Sequence, residues 1–224
     1  MQSTPFSHVL SARMAPMAEV FEIHPQNPQP RLVREVADLI EDGGIVAYPT
    51  DSSYAFGWAM GNKAAQERIR RLKNLDKHHH FTLLCQGLSE LSTYARVDNQ
   101  AYRLLKALTP GPYTFILPAT RLVPNRLQHA KRKSIGIRVP NHKIALAILT
   151  AMPEPLMSTT LQLPGQEQPM NDPWEIQAQL DHELVAIVDG GSCLRAETSV
   201  IDLTGSVPVV TRAGLGDTSH LPSA

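Results

Sequence analysis

One short stretch, residues 43–57, constrains the fold more than any other, because a strand-like apolar run in it ends abruptly in polar residues. Gly43-Gly44 precedes the apolar run 45–48, and the next six residues read Pro-Thr-Asp-Ser-Ser-Tyr. Five of these six carry a hydroxyl or carboxylate group. A buried strand that ends at a proline-fixed turn with hydrogen-bonding side chains is typical of a ligand site in a sheet protein. A solvated turn has the same composition, so this stretch alone leaves both interpretations open.

Helical and strand patterns alternate along the rest of the chain. Apolar residues at helical spacing predict helices at residues 30–42, 63–75, 98–108, 141–149 and 173–180. Asp98 and Asn141 are the expected N-caps of two helices, and Pro173 is the expected first residue of another. Short apolar runs predict strands at residues 20–23, 45–48, 81–85, 113–117, 134–139, 156–160, 184–188, 199–203 and 207–211. Several strands follow one another without a crossover helix, so the sequence predicts an α/β fold with a mixed sheet.

Length, charge and cysteine count set mild limits on the function. The 224 residues suffice for one domain, and the formal net charge of zero gives no overall attraction to nucleic acid. Two cysteines are too few for a disulfide framework, and no apolar run approaches the roughly 18 residues that span a bilayer. We therefore expect a cytoplasmic protein without a membrane partner. Residues 1–16 are expected to be a dispensable extension, followed by a domain over residues 17–216 and a tail over residues 217–224.

Five stretches of the chain carry a family signature when they are taken in order. They read Pro49-Thr50-Asp51-Ser52-Ser53-Tyr54, Pro110-Gly111-Pro112-Tyr113-Thr114, Gly136-Ile137-Arg138-Val139-Pro140, Ser158-Thr159-Thr160, and Ser199-Val200-Ile201-Asp202 with Arg212-Ala213-Gly214. In this order they resemble the motifs of the YrdC/YciO family, whose best-known members make threonylcarbamoyl-AMP for tRNA modification. The resemblance implies a single YrdC-like domain, in which a twisted mixed β-sheet with flanking helices forms a concave basic cleft.

The resemblance also implies a reaction, in which threonine and bicarbonate give a carbamate that attacks the α-phosphate of ATP and releases pyrophosphate. Such a reaction depends on positioning and charge neutralisation more than on covalent help from the protein. ATP would enter as a substrate, with Mg2+. Carried over by position, the amino-acid contacts are Ser52, Arg138, Ser158 and Ser199, and the nucleotide contacts are Lys73, His79, Ser134, Thr160 and Arg212. The candidate catalytic residues among them are Lys73, Thr160 and Arg138.

Two of these residues also have simpler interpretations. A guanidinium can hold a carboxylate with two parallel hydrogen bonds, which suits Arg138 to an amino acid, but a surface ion pair on a strand is an alternative. Lys73 follows Arg68, Arg70 and Arg71 in a basic segment, for which a solvated helix face is the default interpretation.

Two departures from the family pattern place the chain closest to the YciO branch. The Lys-x-Arg motif of the synthase branch reads Lys73-Asn74-Leu75 here, and its Ser-x-Asn motif reads Thr160-Leu161-Gln162. Leucine can neither donate hydrogen bonds nor offset phosphate charge. If the missing arginine contact contributes roughly 2–4 kcal/mol, adenylation slows on the order of a hundredfold. The resemblance therefore implies a synthase with weak or altered activity, and whether the chain is an enzyme stays open.

A basic loop suggests a second function class. The segment 121–138 contains seven basic or histidine residues and no acidic one, and Lys131, Arg132 and Lys133 form its centre. Family members are described as binding double-stranded RNA through such a surface, so tRNA or duplex RNA is an expected partner, and a solvated loop is the alternative. The chain would then be either a nucleotidyltransferase or a non-catalytic RNA-binding module of the same fold. The triplet His78-His79-His80 is not expected to bind a structural metal, because adjacent residues on an extended chain point to opposite faces.

Overall fold

The computed structural model describes residues 17–76 and 79–223, so the predicted N-terminal extension, His78 and Ala224 lie outside the described residues. Six α-helices are found among the described residues: α1 (Pro30–Glu41), α2 (Lys63–Leu72), α3 (Leu88–Tyr94), α4 (Asn99–Leu108), α5 (Lys143–Ala151) and α6 (Pro173–Leu180). Ten strands accompany them: β1 (Glu19–Glu22), β2 (Val46–Pro49), β3 (Tyr54–Ala59), β4 (Thr82–Leu84), β5 (Tyr113–Pro118), β6 (Ser134–Arg138), β7 (Leu156–Thr160), β8 (Ala186–Asp189), β9 (Ser199–Asp202) and β10 (Val209–Arg212).

The strands form one sheet in the order β1-β8-β2-β3-β7-β4-β6-β5-β9-β10. Four neighbouring pairs are parallel (β1 with β8, β8 with β2, β4 with β6, β5 with β9), and the other five are antiparallel. The predicted mixed α/β fold is therefore confirmed. Each predicted strand is present, with bounds that differ by at most two residues, while β3 and α3 were not predicted.

The two faces of the sheet are buried against different helices, because neighbouring strand residues point to opposite sides. Strand β2 shows the alternation: Val46 and Tyr48 belong to one buried cluster and Ala47 to the other. The cluster with Val46 packs under α1 and α5. The larger cluster with Ala47 packs under α2, α3, α4 and α6.

Local signals fix the helix ends in most cases. Asp98 caps α4, since its carboxylate accepts a hydrogen bond from the backbone N–H of Ala101 at 2.8 Å, and Pro173 is the first residue of α6; both predictions are confirmed. The prediction of Asn141 as an N-cap is wrong, because His142 is still extended (φ −142°, ψ 124°) and α5 begins at Lys143. Helix α2 ends at Leu72 rather than at residue 75, because Asn74 takes a left-handed conformation with φ 49°.

The C-terminal segment, predicted to be a tail, runs back along the sheet edge. The N–H of Val210 donates to the carbonyl of Pro222 at 2.9 Å, and Leu221 packs against the larger buried cluster. Among the described residues, no helix has the length and apolar composition needed to cross a membrane.

Candidate functional site

A cleft lies on the face of the sheet that carries α1 and α5. These two helices pack against β2, β3 and β8 at one side of that face. No described helix covers the same face of the strands beyond them (β7, β4, β6, β5 and β9). A cleft of about 270 Å³ lies there. The site is therefore the half of one sheet face that no helix covers among the described elements.

Alternation along the strands decides which residues line the cleft. In β6, Ser134, Gly136 and Arg138 face the cleft, whereas Ile135 and Ile137 face the larger core. Strands β4, β5 and β7 contribute in the same way, and their cleft residues include Thr82, Thr114, Ile116, Ser158 and Thr160. The floor of the cleft is therefore polar although its strands are buried on the opposite face.

Arg138 forms a buried ion pair. One of its terminal nitrogens, Nη2, donates to Oδ1 of Asp51 and also to the hydroxyl of Ser52, at 3.2 Å. The side chains of Arg138 and Asp51 are only 8% and 10% exposed. The alternative considered from the sequence, an ion pair on the surface, is therefore wrong, because the pair is buried. Nε of Arg138 and Oδ2 of Asp51 are buried without a partner among the described residues. The guanidinium lines the cleft with part of its hydrogen-bonding capacity unused.

Lys73 points into the cleft instead of lying on a solvated helix face. It is the C-cap of α2, and its Nζ donates to the carbonyl of Thr160 at 2.5 Å and to the hydroxyl of Thr159 at 3.4 Å. Burial lowers the pKa of Lys73 from its ordinary value to about 8, because a charged ammonium is poorly solvated there. No carboxylate lies within ion-pair distance of Lys73 in the described part of the chain.

The segment after α2 brings His79 to the rim of the cleft. Arg70 holds this segment, because its guanidinium donates to the carbonyls of Asp76 (2.6 Å) and His79 (3.1 Å) and lies over the Phe81 ring. Burial, followed by the charges of Lys73 and Arg70, lowers the pKa of His79 to about 4. His79 is therefore a neutral group beside Lys73 at pH 7.

Arg212 lines the opposite wall. Its guanidinium donates to the carbonyl and the hydroxyl of Thr198, both at 3.1 Å, and forms an ion pair with Glu197 at 3.0 Å. All five residues predicted to bind the nucleotide therefore line one cleft: Lys73, His79, Ser134, Thr160 and Arg212.

The predicted amino-acid-binding set is only partly brought together. Arg138 and Ser158 line the cleft, and Ser52 contacts Arg138 from behind. The hydroxyl of Ser158 also lies 2.8 Å from that of Tyr48, whose pKa is raised to about 12 by burial. Ser199 does not line the cleft: its hydroxyl donates to the carbonyl of Gly216 at 2.6 Å and accepts from the N–H of Gly214 at 2.9 Å.

The basic loop lies at the mouth of the cleft. Lys131, Arg132 and Lys133 are exposed in a tight turn before β6, whose shape is held by hydrogen bonds from the backbone N–H groups of Lys131 and Arg132 to Nδ1 of His129. Of these three predicted RNA-binding residues, Arg132 lines the cleft and forms an ion pair with Asp202 at 2.8 Å. The turn directs Arg132 inward, over the end of β9.

The two departures from the family pattern occupy different places. Gln162 lines the cleft, and its Nε2 donates to the carbonyl of Gln166 at 2.9 Å. Leu75 does not line the cleft; it is half-buried against the larger core cluster. Sequence reasoning also missed several cleft residues, among them Thr114, Glu197 and Thr198. Of these, Thr114 was readable from the alternation along β5, while the loop residues carried no such signal.

No group of three histidine, cysteine, aspartate or glutamate side chains within residues 17–76 and 79–223 is arranged to hold a metal ion. The cleft instead collects three arginines, one lysine and hydroxyl groups. Such a set suits phosphate and carboxylate groups, since guanidinium and ammonium groups donate charge-assisted hydrogen bonds to both.

Comparisons with known proteins identify the family and the fold. Residues 38–214 match the model of the Sua5/YciO/YrdC family, which is described as "Telomere recombination". YciO of Escherichia coli K12 is 51% identical over 201 residues, covering 90% of this chain and 98% of that protein. The crystal structure of E. coli YciO superimposes with a TM-score of 0.88 over 92% of this chain and 100% of that chain.

More distant relatives have an enzymatic name. The threonylcarbamoyl-AMP synthase of Pyrococcus abyssi is 28% identical over 184 residues, covering 81% of this chain and 54% of that protein. The structure of P. abyssi Sua5 complexed with L-threonine is 25% identical and matches with a TM-score of 0.80 over 87% of this chain and 57% of that chain. By its sequence motifs, its family match and its fold, the chain belongs to the Sua5/YciO/YrdC family.

Proposed function

We propose that the cleft binds ATP and a small amino acid such as L-threonine, and catalyses nucleotidyl transfer of the threonylcarbamoyl-AMP type in support of tRNA modification. The observation that carries this proposal is the pair of unusual cations in one cleft. Arg138 is buried with an unpartnered Nε, and Lys73 is desolvated without a carboxylate partner among the described residues. A carboxylate suits the first and a phosphate suits the second. The similarity to the threonylcarbamoyl-AMP synthase of P. abyssi and to the L-threonine complex of P. abyssi Sua5 supports the same reaction class.

The roles follow from position. Lys73 and Arg212, on opposite walls, neutralise the phosphates of ATP with Mg2+, while Ser134 and Thr160 offer hydroxyl groups to the same ligand. Arg138 holds the carboxylate of the amino acid, with Ser52 and Ser158 beside it. Neutral His79 donates or accepts one hydrogen bond at the rim.

The proposed synthase activity is weak, because the cleft holds fewer unpaired cations than a triphosphate requires. Arg132, Arg138 and Arg212 each already face a carboxylate. Leu75 packs against the core and supplies no charge. The long side chain of Gln162 bonds its own loop, which leaves less of its amide for a nucleotide.

Calorimetric titration with ATP, AMP and L-threonine, followed by a pyrophosphate-release assay with ATP, Mg2+, bicarbonate and each amino acid, tests the proposal. We expect ATP binding in the wild type and a loss of at least tenfold in affinity for Lys73→Met. The matched control is Lys106→Met, which changes an exposed lysine on α4 outside the cleft. Absence of binding heat at millimolar ATP, or equal affinity in Lys73→Met and wild type, would overturn the proposal.

RNA binding at the mouth of the cleft is a second candidate function, favoured by three consecutive exposed cations in the turn 131–133. Filter binding of duplex RNA at several salt concentrations tests it with the Lys131→Ala/Lys133→Ala variant, which leaves Arg132 in the cleft. Each lost phosphate contact lowers the slope of log affinity against log salt by about one. Unchanged affinity and slope would identify the turn as a solvated loop.

A further inference from the structure

A second cavity, of about 240 Å³, lies beside the cleft between α2 and the segment 125–133. His79, His80 and Phe81 line both cavities and form the wall between them. The turn before β6 also contributes to both, since Arg132 lines the cleft and Lys133 lines the second cavity. Apart from His79 in the shared wall, none of the residues proposed above to bind ATP or the amino acid lines it, so the second cavity is a distinct site.

The lining of the second cavity is cationic. Arg70, Arg126 and Lys133 line it, and no aspartate or glutamate does so among the described residues. Arg126 is anchored through Nη2, which donates to the carbonyl of Gly61 at 2.9 Å. Its Nε and Nη1 make no hydrogen bond to the described protein, which leaves three N–H donors on two nitrogens for a ligand. The charge therefore favours an anionic group.

The interior of the same cavity is lined by amides. Gln66 is only 4% exposed, and its Oε1 has no hydrogen-bond partner among the described residues. Gln128 is 9% exposed and donates through Nε2 to the carbonyl of Val123 at 2.7 Å, which leaves its Oε1 as an acceptor. A buried amide atom without a partner is costly, and a ligand that pairs with it recovers that cost on binding.

We propose that the second cavity binds a nucleotide, with the base against the amides of Gln66 and Gln128 and the phosphate at Arg126 and Lys133. A nucleobase edge carries both donors and acceptors, so it can pair with the Gln66 amide in either orientation of that group. The flat base also fits beside the buried Phe81 and Met157 side chains, which supply an apolar surface. The nucleotide is either free or part of an RNA strand, since both present the same base and phosphate.

The test separates this cavity from the cleft by using Lys73→Met as the parent protein. AMP, GMP, CMP and UMP are titrated one at a time, together with a 5′-phosphorylated single-stranded RNA hexamer. We expect at least one probe to bind the parent with submillimolar Kd. The added change Arg126→Ala should weaken that binding at least tenfold, and the added change Gln66→Leu should do the same. The added change Lys106→Ala on α4 should leave it unchanged. Binding of monophosphates assigns the site to a free nucleotide, and binding of the hexamer alone assigns it to an RNA strand.

Two results would overturn the proposal: no probe binds the parent, or binding survives both Arg126→Ala and Gln66→Leu. Thermal unfolding of each variant shows that it is folded. Gln66→Leu should melt at or above the parent temperature, because it removes the buried, unpaired Oε1 and leaves a side chain of similar volume. The proposed function is tested separately by ATP titration of the wild type, so it can fail without affecting this site.

Discussion

At the scale of single residues, Lys73 should make the proposed nucleotide binding depend on pH. Its pKa is lowered to about 8 in the free protein, and a bound phosphate would raise it back toward its ordinary value of 10.5. The free state therefore loses a proton above pH 8 that the bound state keeps. We expect ATP affinity to be independent of this group below pH 8 and to fall as the pH rises from 8 to 10.5. Calorimetry at pH 8.5 in two buffers of different ionisation enthalpy should show proton uptake, which Lys73→Arg should abolish. Equal uptake in both proteins would exclude Lys73 as its source.

The ion pair between Asp51 and Arg138 gives a second prediction at this scale. Asp51→Ala leaves a buried guanidinium without its carboxylate, so we expect it to lower the free energy of unfolding by about 3–5 kcal/mol. Asp51→Ala/Arg138→Met removes both charges and should recover much of that loss. Urea unfolding measures both, and Glu35→Ala, which breaks an exposed pair on α1, is the control with an expected effect below about 0.5 kcal/mol. A double variant no more stable than Asp51→Ala would contradict the prediction.

At the scale of elements, strand β3 shows how a glycine positions a cleft residue. A Cβ atom at Gly57 would lie 2.7 Å from Cε1 of Tyr48, so alanine must displace the tyrosine ring, whose hydroxyl lies beside Ser158. We expect Gly57→Ala to destabilise the protein by about 1–3 kcal/mol in thermal or urea unfolding. Gly61→Ala is the matched control, since no atom lies within 4 Å of the added carbon. Equal stability of the two variants would show that Tyr48 moves freely.

The elements also show what the sequence could predict and why it could not predict the rest. The alternation Ser-Ile-Gly-Ile-Arg identifies β6 and already separates its cleft face from its core face. Strand β3 was missed because its residues, Tyr54–Ala59, continue directly from a polar turn, and only pairing with β2 and β7 defines it. The buried pair of Asp51 and Arg138 joins residues 87 positions apart, so no local pattern reveals it. Ser199 matched a motif, yet its hydroxyl supports the backbone near Gly214.

At the scale of the whole molecule, helices α1 and α5 cover one half of a sheet face, and the other half of that face stays open as the cleft. The proposed function therefore depends on the charged side chains that line this open half. Among the described cleft cations, the three arginines each face a carboxylate, and Lys73 does not. A triphosphate would therefore find one unpaired cation where a second would stabilise its developing charge. Residue 75, two positions after Lys73, is only half-buried, so the effect of a further cation can be tested there.

Leu75→Arg should therefore raise threonine-dependent pyrophosphate release, on the order of a hundredfold if the new contact contributes the roughly 2–4 kcal/mol expected for such a group. Its apolar stem can keep part of the contact that half-buried Leu75 makes with the core, and the prediction requires the guanidinium to extend from there to the phosphates. Leu75→Met, which keeps the packing without the charge, is the control and should match the wild type. The assay uses ATP, Mg2+, bicarbonate and threonine, with thermal unfolding to show that each variant is folded. An unchanged rate in folded Leu75→Arg would mean that another departure, such as Gln162 in the cleft, limits the reaction.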